Sequence, residues 1–441
     1  MIGVRQTVKS AIGMALVLAA LILPRGAVAQ GAFYQEEVRD GRIYVFNNMV
    51  SYDNWRKSGE MGVAITRLGA GPAGETIIFD TEEAIHLYNF RHNLQGEVMI
   101  KPAEKKPVMV VSWKDGKTKF ETDSAGIEIS NRIQFRYTYT DPEVGDPLGA
   151  FRIRRAKTKF EGWFFNKKLT GELQLNWPDT ANPLEDANLN VDFRGNKSIM
   201  IKAGQFKVPF GRQELTSSGS QEFVDRSLVS GEFAKGRDIG VQVWGMAMNG
   251  KIDWRAGVFN GAGRTVAKND NNKYQTDVRI TFMPNGDPKY SESDFESSSK
   301  PLYAVAVQVE QNNLHGATTG VDLKKTTFGF DGVLKYKGLY FFGEYFNRDN
   351  EPETGAKYTT SGYGVQIGYF VVPKTFEVAF RYASLDPTDA KSSDDRTETG
   401  IAAGYFLNKH ALKWQTDYRR LEDDATGRTD NELRSQLQFI F

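Results

Sequence analysis

Arg155, Lys157 and Lys159 stand at every second position of "RAKTKFEGWF", with Ala156, Thr158 and Phe160 between them. In an extended chain that spacing puts three cations on one face. Upstream, "GIEISNRIQFRYTY" carries Arg132 and Arg136, also on one face of an extended segment. Aligned ammonium and guanidinium groups suit oxyanions, because a guanidinium fork matches two oxygens of a phosphate or carboxylate. The chemistry offered is anion recognition. Glu128, Glu161, Glu172, Asp192, Asp253 and Asp277 are placed to pair with these cations, and full pairing would neutralise the stripe.

Residues for other chemistry are missing from the necessary places. The four histidines, His86, His92, His315 and His410, are scattered, and none has a second histidine at metal-binding spacing. No strand pairs a serine with a histidine as a hydrolase would need. "GAGPAG" at residues 69–74 formally matches a dinucleotide loop, but Pro72 interrupts it and the strand-like "TIIFD" follows where a helix should start. It reads as a hairpin loop. There is no cysteine, and 56 Lys+Arg balance 55 Asp+Glu, which gives no argument for nucleic acid. The sequence predicts a protein that is not an enzyme and uses no cofactor or metal.

The elements that would carry the basic face come from the pattern along the chain. Residues 1–29 read as a secretory signal. Arg5 and Lys9 precede the 13-residue apolar run "AIGMALVLAALIL", Pro24 breaks it, and Ala27-Val28-Ala29 offers a cleavage site. Residues 30–120 read as a small β-rich N-terminal segment. Its short strands would be "RIYVFN", "GVAITRL", "ETIIFD", "AIHLYNF" and "VMVVSW", with a linker near residues 101–107. Residues 121–441 then show sixteen segments of period two, from "GIEISNRIQFRYTY" to "LRSQLQFIF".

Tight turns such as Asn249-Gly250 and Lys337-Gly338 alternate with long polar loops such as "DNEPETGAKY". One turn on the short side, "PNGDPKYSESDFESSSK", is long. Trp163, Trp177, Trp254, Trp414, Tyr363, Tyr369, Tyr382, Tyr405 and Tyr418 fall near segment ends, as interfacial girdles do. These features predict an all-β fold, a 16-stranded antiparallel transmembrane β-barrel. In hydrocarbon every backbone N–H and C=O needs a partner, which a closed sheet supplies. A soluble sandwich also alternates, but it does not require every strand to hide one face and wet the other. The last segment fits the barrel, with Leu433, Leu437, Phe439 and Phe441 on the lipid side and Arg434, Gln436 and Gln438 on the lumenal side. The chain is therefore expected in the bacterial outer membrane, among its lipid and lipopolysaccharide, with the N-terminal segment in the periplasm.

At "FRIRRAKTKFEGWF", "AGQFKVPFGRQELTSSGSQEFVDRSL", "KGRDIGVQVWG" and "DWRAGVFNG" the chain resembles the phosphate-selective porin O/P family. The resemblance spans roughly residues 111–441. It implies a trimeric sixteen-stranded channel for anions, whose third long loop, residues 207–235, folds inward and sets the constriction. That loop contains Lys207, Arg212, Glu214, Ser217, Ser218, Glu222, Asp225, Arg226, Glu232 and Lys235. Ser217, Ser218 and Arg226 match the positions that meet the anion in such porins. The resemblance also implies lysines at the constriction of phosphate-specific members; this chain has Glu214 just ahead of "TSS", which weighs against strict phosphate selectivity.

The expectation is passive diffusion of small anions, phosphate among them. It runs through a constriction built from Lys207, Arg212, Ser217, Ser218, Arg226 and Lys235 with Arg132, Arg136, Arg155, Lys157 and Lys159 of the wall. A porin for neutral or cationic solutes, or a barrel anchoring the N-terminal segment as a tether, are the competing expectations.

Overall fold

The computed structural model describes residues 33–94, 109–114, 116–234, 236–264, 269, 271–315 and 321–441. The expected signal at 1–29, the linker near 101–107 and Lys235 lie outside the described residues. The chain forms two compact units divided after Val108.

In the first unit four strands, β1 (Gln35–Arg39), β2 (Arg42–Phe46), β3 (Ile65–Arg67) and β4 (Thr76–Phe79), form a sheet in the order β1-β2-β4-β3. The β2–β4 pair is parallel, which requires a crossover, and the helix Met49–Ser58 provides it. The Asn48 side chain caps that helix by accepting from Val50 N and Ser51 N. "AIHLYNF", expected as a strand, is part of the helix Glu82–Arg91. The Thr81 side chain accepts from Ala84 N, and Glu82 and Glu83 favour the N-terminal end of the helix dipole. Ala84, Ile85 and Tyr88 then share one face, packing on Ile43, Val45, Ile77 and Phe79. Residues 69–74 are a hairpin loop between antiparallel β3 and β4, with Gly71 N donating to Glu75 O at 2.9 Å.

The second unit opens with a hairpin of β5 (Val110–Lys114) and β6 (Lys117–Glu121), turning at Gly116 with φ of 77°. The sequence reading assigned this stretch to the N-terminal segment. Instead β6 hydrogen-bonds along Gly126–Ser130 of β7 (Ala125–Asp141), the part of that edge that β22 leaves free.

Sixteen antiparallel strands make the barrel. After β7 come β8 (Leu148–Phe164), β9 (Asn166–Asn176), β10 (Leu184–Asp192), β11 (Met200–Lys207), β12 (Arg237–Ala247), β13 (Ile252–Phe259) and β14 (Gln275–Phe282). The rest are β15 (Leu302–His315), β16 (Asp322–Tyr336), β17 (Leu339–Pro352), β18 (Tyr358–Val372), β19 (Phe376–Asp386), β20 (Arg396–Asn408), β21 (Leu412–Asp423) and β22 (Arg428–Ile440). Each pairs with the next, and β22 closes on β7, with Ile440 opposite Arg132 and Asn431 opposite Asp141. Lys337 and Gly338, at φ of 49° and 86°, make the tight turn between β16 and β17 that the strand twist favours.

The two faces differ as a bilayer demands. On β22, Leu433, Leu437 and Phe439 point outward and exposed, while Arg434, Gln436 and Gln438 are buried within. Val305, Val307 and Val309 repeat the pattern on β15 against buried Ala306, Gln308 and Glu310.

Two segments fold into the lumen. Residues 208–236 enter from the long-loop end, with short helices Arg212–Leu215 and Leu228–Phe233. Their Val208, Phe210, Val229 and Phe233 pack against Phe206, Phe259, Phe346, Ala383 and Leu385. Residues 283–301 enter from the short-turn end; this is the turn whose length broke the sequence rhythm. Its Phe295 packs on Phe370 and Phe406, and its Glu292 N donates to Ser220 O at 2.8 Å, joining the two segments.

A charge placed on the outer face at mid-strand tests the membrane-facing assignment. Val307→Arg is expected to destabilise folding into lipid vesicles by about 2–4 kcal/mol, while Leu407→Arg, at a strand end, costs about 0–1 kcal/mol. Denaturant titration of vesicle-folded protein measures both.

Candidate functional site

The two inward segments divide the lumen unequally. Toward β14–β22 the interior is filled and its wall arginines are paired. Arg279 binds Asp331 through two hydrogen bonds of 2.6 and 2.9 Å, and Arg434 binds Asp417 at 2.7 and 2.9 Å. Arg381 meets Glu398 at 3.2 Å, and Arg348 meets Glu232 of the loop at 2.7 Å.

Toward β7–β13 a cavity of about 860 Å³ remains. Twelve Lys and Arg side chains line it against five carboxylates, and with Glu161, Asp225 and Asp253 pairing from just outside the lining, cations remain in excess. Of the expected site residues, Arg132, Arg155, Lys157, Lys159, Lys207, Ser217, Ser218 and Arg226 all border this space. Arg136 and Arg212 do not. Arg136 lies fully buried behind the loop, and Arg212 donates to Lys289 O at 2.6 Å and covers the Tyr290 ring, tying the two inward segments together.

The cations of the cavity fall into two groups. One is committed to structure. Lys207 Nζ donates to the carbonyls of Glu214, Leu215 and Thr216 at 2.5, 3.2 and 3.1 Å, closing the C-terminal end of the short helix. Arg226 pairs with Glu214 at 2.9 Å and donates to the carbonyls of Gln213, Glu214 and Thr216. Lys157 pairs with Glu185, Lys159 with Glu161 and Glu172, and Arg237 with Asp186 at 2.8 Å. Glu214, the departure from the family pattern, is thus engaged by Lys207 and Arg226.

The other group makes no ion pair. Arg132, Arg152 and Lys202 have no ion-pair partner among the described residues. Arg132 donates instead to two hydroxyls of the loop, Ser217 Oγ at 3.0 Å and Ser218 Oγ at 3.1 Å. Hydroxyls can also donate, so this trio offers an oriented guanidinium and two O–H groups at one point of the wall. The serine partner in the structure is Arg132 of β7, whereas the resemblance pointed to Arg226.

A single loop carboxylate holds the gateway. Asp225 accepts from Arg136 at 2.5 Å and Arg155 at 3.2 Å, with Arg154 and Arg434 at 3.7 and 3.8 Å. With Arg434 already matched by Asp417, the three other guanidiniums share one carboxylate and leave a surplus of positive charge beside the cavity.

Arg152 and Arg154 escaped the sequence reading because strict alternation places them on the lipid side. Opposite Gln134 and Phe135 the register jumps from Arg155 to Ile153, a bulge at Arg154. Below it Arg155, Lys157 and Lys159 face inward; above it the parity reverses and Arg152 and Arg154 do. Exposed Phe151 and Ile153 take the outer face. Five basic residues of one strand therefore line one cavity. Arg237 and Arg255 also border it, and both sat in the motifs "KGRDIGVQVWG" and "DWRAGVFNG". Arg255 shares the inner face with Asp253 and binds it at 2.6 and 2.9 Å.

Residues 127–441 match the model of a family described as "Phosphate-selective porin O and P". No curated relative matches the chain. Among solved structures, the anion-selective porin from Comamonas acidovorans aligns with a TM-score of 0.54 at 12% identity, covering 72% of this chain and 100% of its own. The trimer form of in-vitro folded OmpT, an outer membrane protein of Vibrio cholerae, gives 0.51 at 12% identity over 72% and 100%. The outer membrane channel DcaP of Acinetobacter baumannii gives 0.52 at 12% identity over 72% and 98%. At these identities the likeness is one of fold.

Asp225→Asn removes the shared carboxylate and strands its guanidiniums. The expected loss of stability is about 2–3 kcal/mol, below that of a wholly buried pair because the Asp225 side chain is 23% exposed. A shift in the denaturant midpoint measures it, and faster proteolysis within residues 208–236 should accompany it.

Proposed function

Because the chain belongs to the phosphate-selective porin O and P family, we propose that this outer-membrane channel passes small anions by diffusion, with phosphate among its preferred solutes. The observation that carries the reading is the charge imbalance of the cavity, twelve cations to five carboxylates, concentrated beside an unpaired Arg132. A positive wall in a narrow aqueous path raises the local anion concentration and repels cations. At the Arg132–Ser217–Ser218 point an oxyanion exchanges its water for a guanidinium fork and two hydroxyls. Further along, Arg152, Arg154 and Lys202 give it successive weak stations, so that binding need not become trapping.

Glu172, Glu185, Asp186 and Glu214 are engaged by Lys159, Lys157, Arg237 and Arg226, which weighs against a path for cations. An 860 Å³ charged cavity likewise favours conduction over a barrel serving as a tether. The short-turn end faces the periplasm in this reading. The N-terminal unit then lies there, and the long loops meet lipopolysaccharide. A homotrimer is the proposed assembly, supported by the family and by the trimer form of the Vibrio cholerae relative.

In planar bilayers under a KCl gradient, the reversal potential is expected to show chloride preferred over potassium, and phosphate should block the chloride current. Arg132→Ala should weaken phosphate block by about tenfold or more, the loss of one charge-assisted hydrogen bond. Cation preference in the natural chain would sink the reading. Equal block by sulfate would reduce the site to a generic basic constriction.

A further inference from the structure

The loop joining β19 to β20, residues 387–395, contributes nothing to the cavity described above. It holds a different constellation. One carboxylate oxygen each of Asp386, Asp394 and Asp395 lies within 4.8 Å of the others'. Asp394 is 6% exposed, and its Oδ1 is buried with no hydrogen-bond partner. None of the three is ion-paired among the described residues, and the adjacent Arg396 is taken by Asp423 at 3.1 Å. Three carboxylates gathered together, one of them dehydrated and partly orphaned, are unfavourable unless a cation compensates them.

The arrangement is built into the neighbouring backbone. Asp389 Oδ1 accepts from Thr359 N at 2.8 Å, and Asp389 N donates to Thr359 O at 3.0 Å. Thr360 Oγ1 donates to Pro387 O at 2.9 Å, and Asp424 N donates to Asp395 O at 2.9 Å. The start of the loop is thus tied to β18 and its end to the loop after β21. Asp386 Oδ1 accepts from Thr388 N at 3.0 Å, which fixes the first carboxylate at the loop's root.

We propose that Asp386, Asp394 and Asp395 bind a calcium ion at the long-loop mouth of the barrel. The donor set is all oxygen, which selects a hard cation over zinc or copper. Carboxylates from an irregular loop, completed by water, suit the variable coordination of calcium better than the strict octahedron of magnesium. The ion would join the last residue of β19 to the last two residues of the loop and hold the loop closed on the strand ends.

The full chain in detergent micelles, freed of divalent ions with a chelator, is titrated with Ca²⁺ by calorimetry and digested in parallel with trypsin. Lys391, exposed in this loop, is the cleavage point followed. The expected result is saturable binding with a Kd of about 10⁻⁴–10⁻³ M, the range of extracellular calcium modules. Cleavage after Lys391 should slow about tenfold at a Ca²⁺ concentration about ten times that Kd, since opening is suppressed by the bound fraction. Asp394→Asn and Asp395→Asn should each abolish both effects; Asp395 is exposed, so its variant tests the site even if the buried one misfolds. Absence of saturable binding up to about 10 mM overturns the proposal. So does an Asp395→Asn chain whose binding and cleavage match the natural one, and equal protection by Mg²⁺ overturns the choice of calcium.

Discussion

Within hydrocarbon no water is available to a peptide group, and the fold of residues 125–441 follows from that denial. A sheet satisfies its own backbone only if it has no edge, so β22 must return to β7 across some three hundred residues of sequence. Closure then decides what side chains do. Alternate residues meet lipid and become valine, phenylalanine and leucine; the others meet the lumen and become glutamine, arginine and aspartate. A sixteen-stranded cylinder is too wide to be filled by its own wall side chains. The chain fills part of it with backbone, sending in residues 208–236 from one end and 283–301 from the other.

That filling is asymmetric, and the proposed function rests on the asymmetry. Where inserted backbone meets the wall, Arg279, Arg381 and Arg434 are matched by Asp331, Glu398 and Asp417, while Arg212 is held by Lys289 O and the Tyr290 ring. Where it stands off from the wall, water returns and a charge can go without a partner at tolerable cost. Arg132, Arg152 and Lys202 occupy that wet side. In the proposed reading, anion preference arises from the difference between a filled half and an open half of one lumen, with the loop as the boundary.

Much of this was legible in the residues. Sixteen segments of period two, the alternation of tight and long connections, and the inward set Arg155, Lys157 and Lys159 all follow from a two-residue repeat that a barrel enforces. What escaped did so where that repeat breaks or where another force overrides it. The bulge at Arg154 inverts parity within one strand, and nothing local in "FRIRRAK" marks it. "AIHLYNF" has the composition of a strand, but a Thr81 cap and one apolar face made it helix. Residues 283–301 announced themselves by length, though not by direction. Arg226 and Lys207 had the right type and place in sequence, yet both are spent on loop carbonyls, a use that only the loop's own path reveals.

The inserted loop also spans the seam of the cylinder. On one side of the joint Gln134 of β7 donates to Ser218 O, and Arg136 donates to Val224 O. On the other side Gln438 of β22 donates to Gly219 O. The same short stretch of chain is buttoned to the first strand and to the last. The loop's anchorage is therefore complete only where β22 meets β7. A cylinder open at that seam could fasten the loop on one side only, so the same residues couple sealing of the wall to seating of the segment that narrows it.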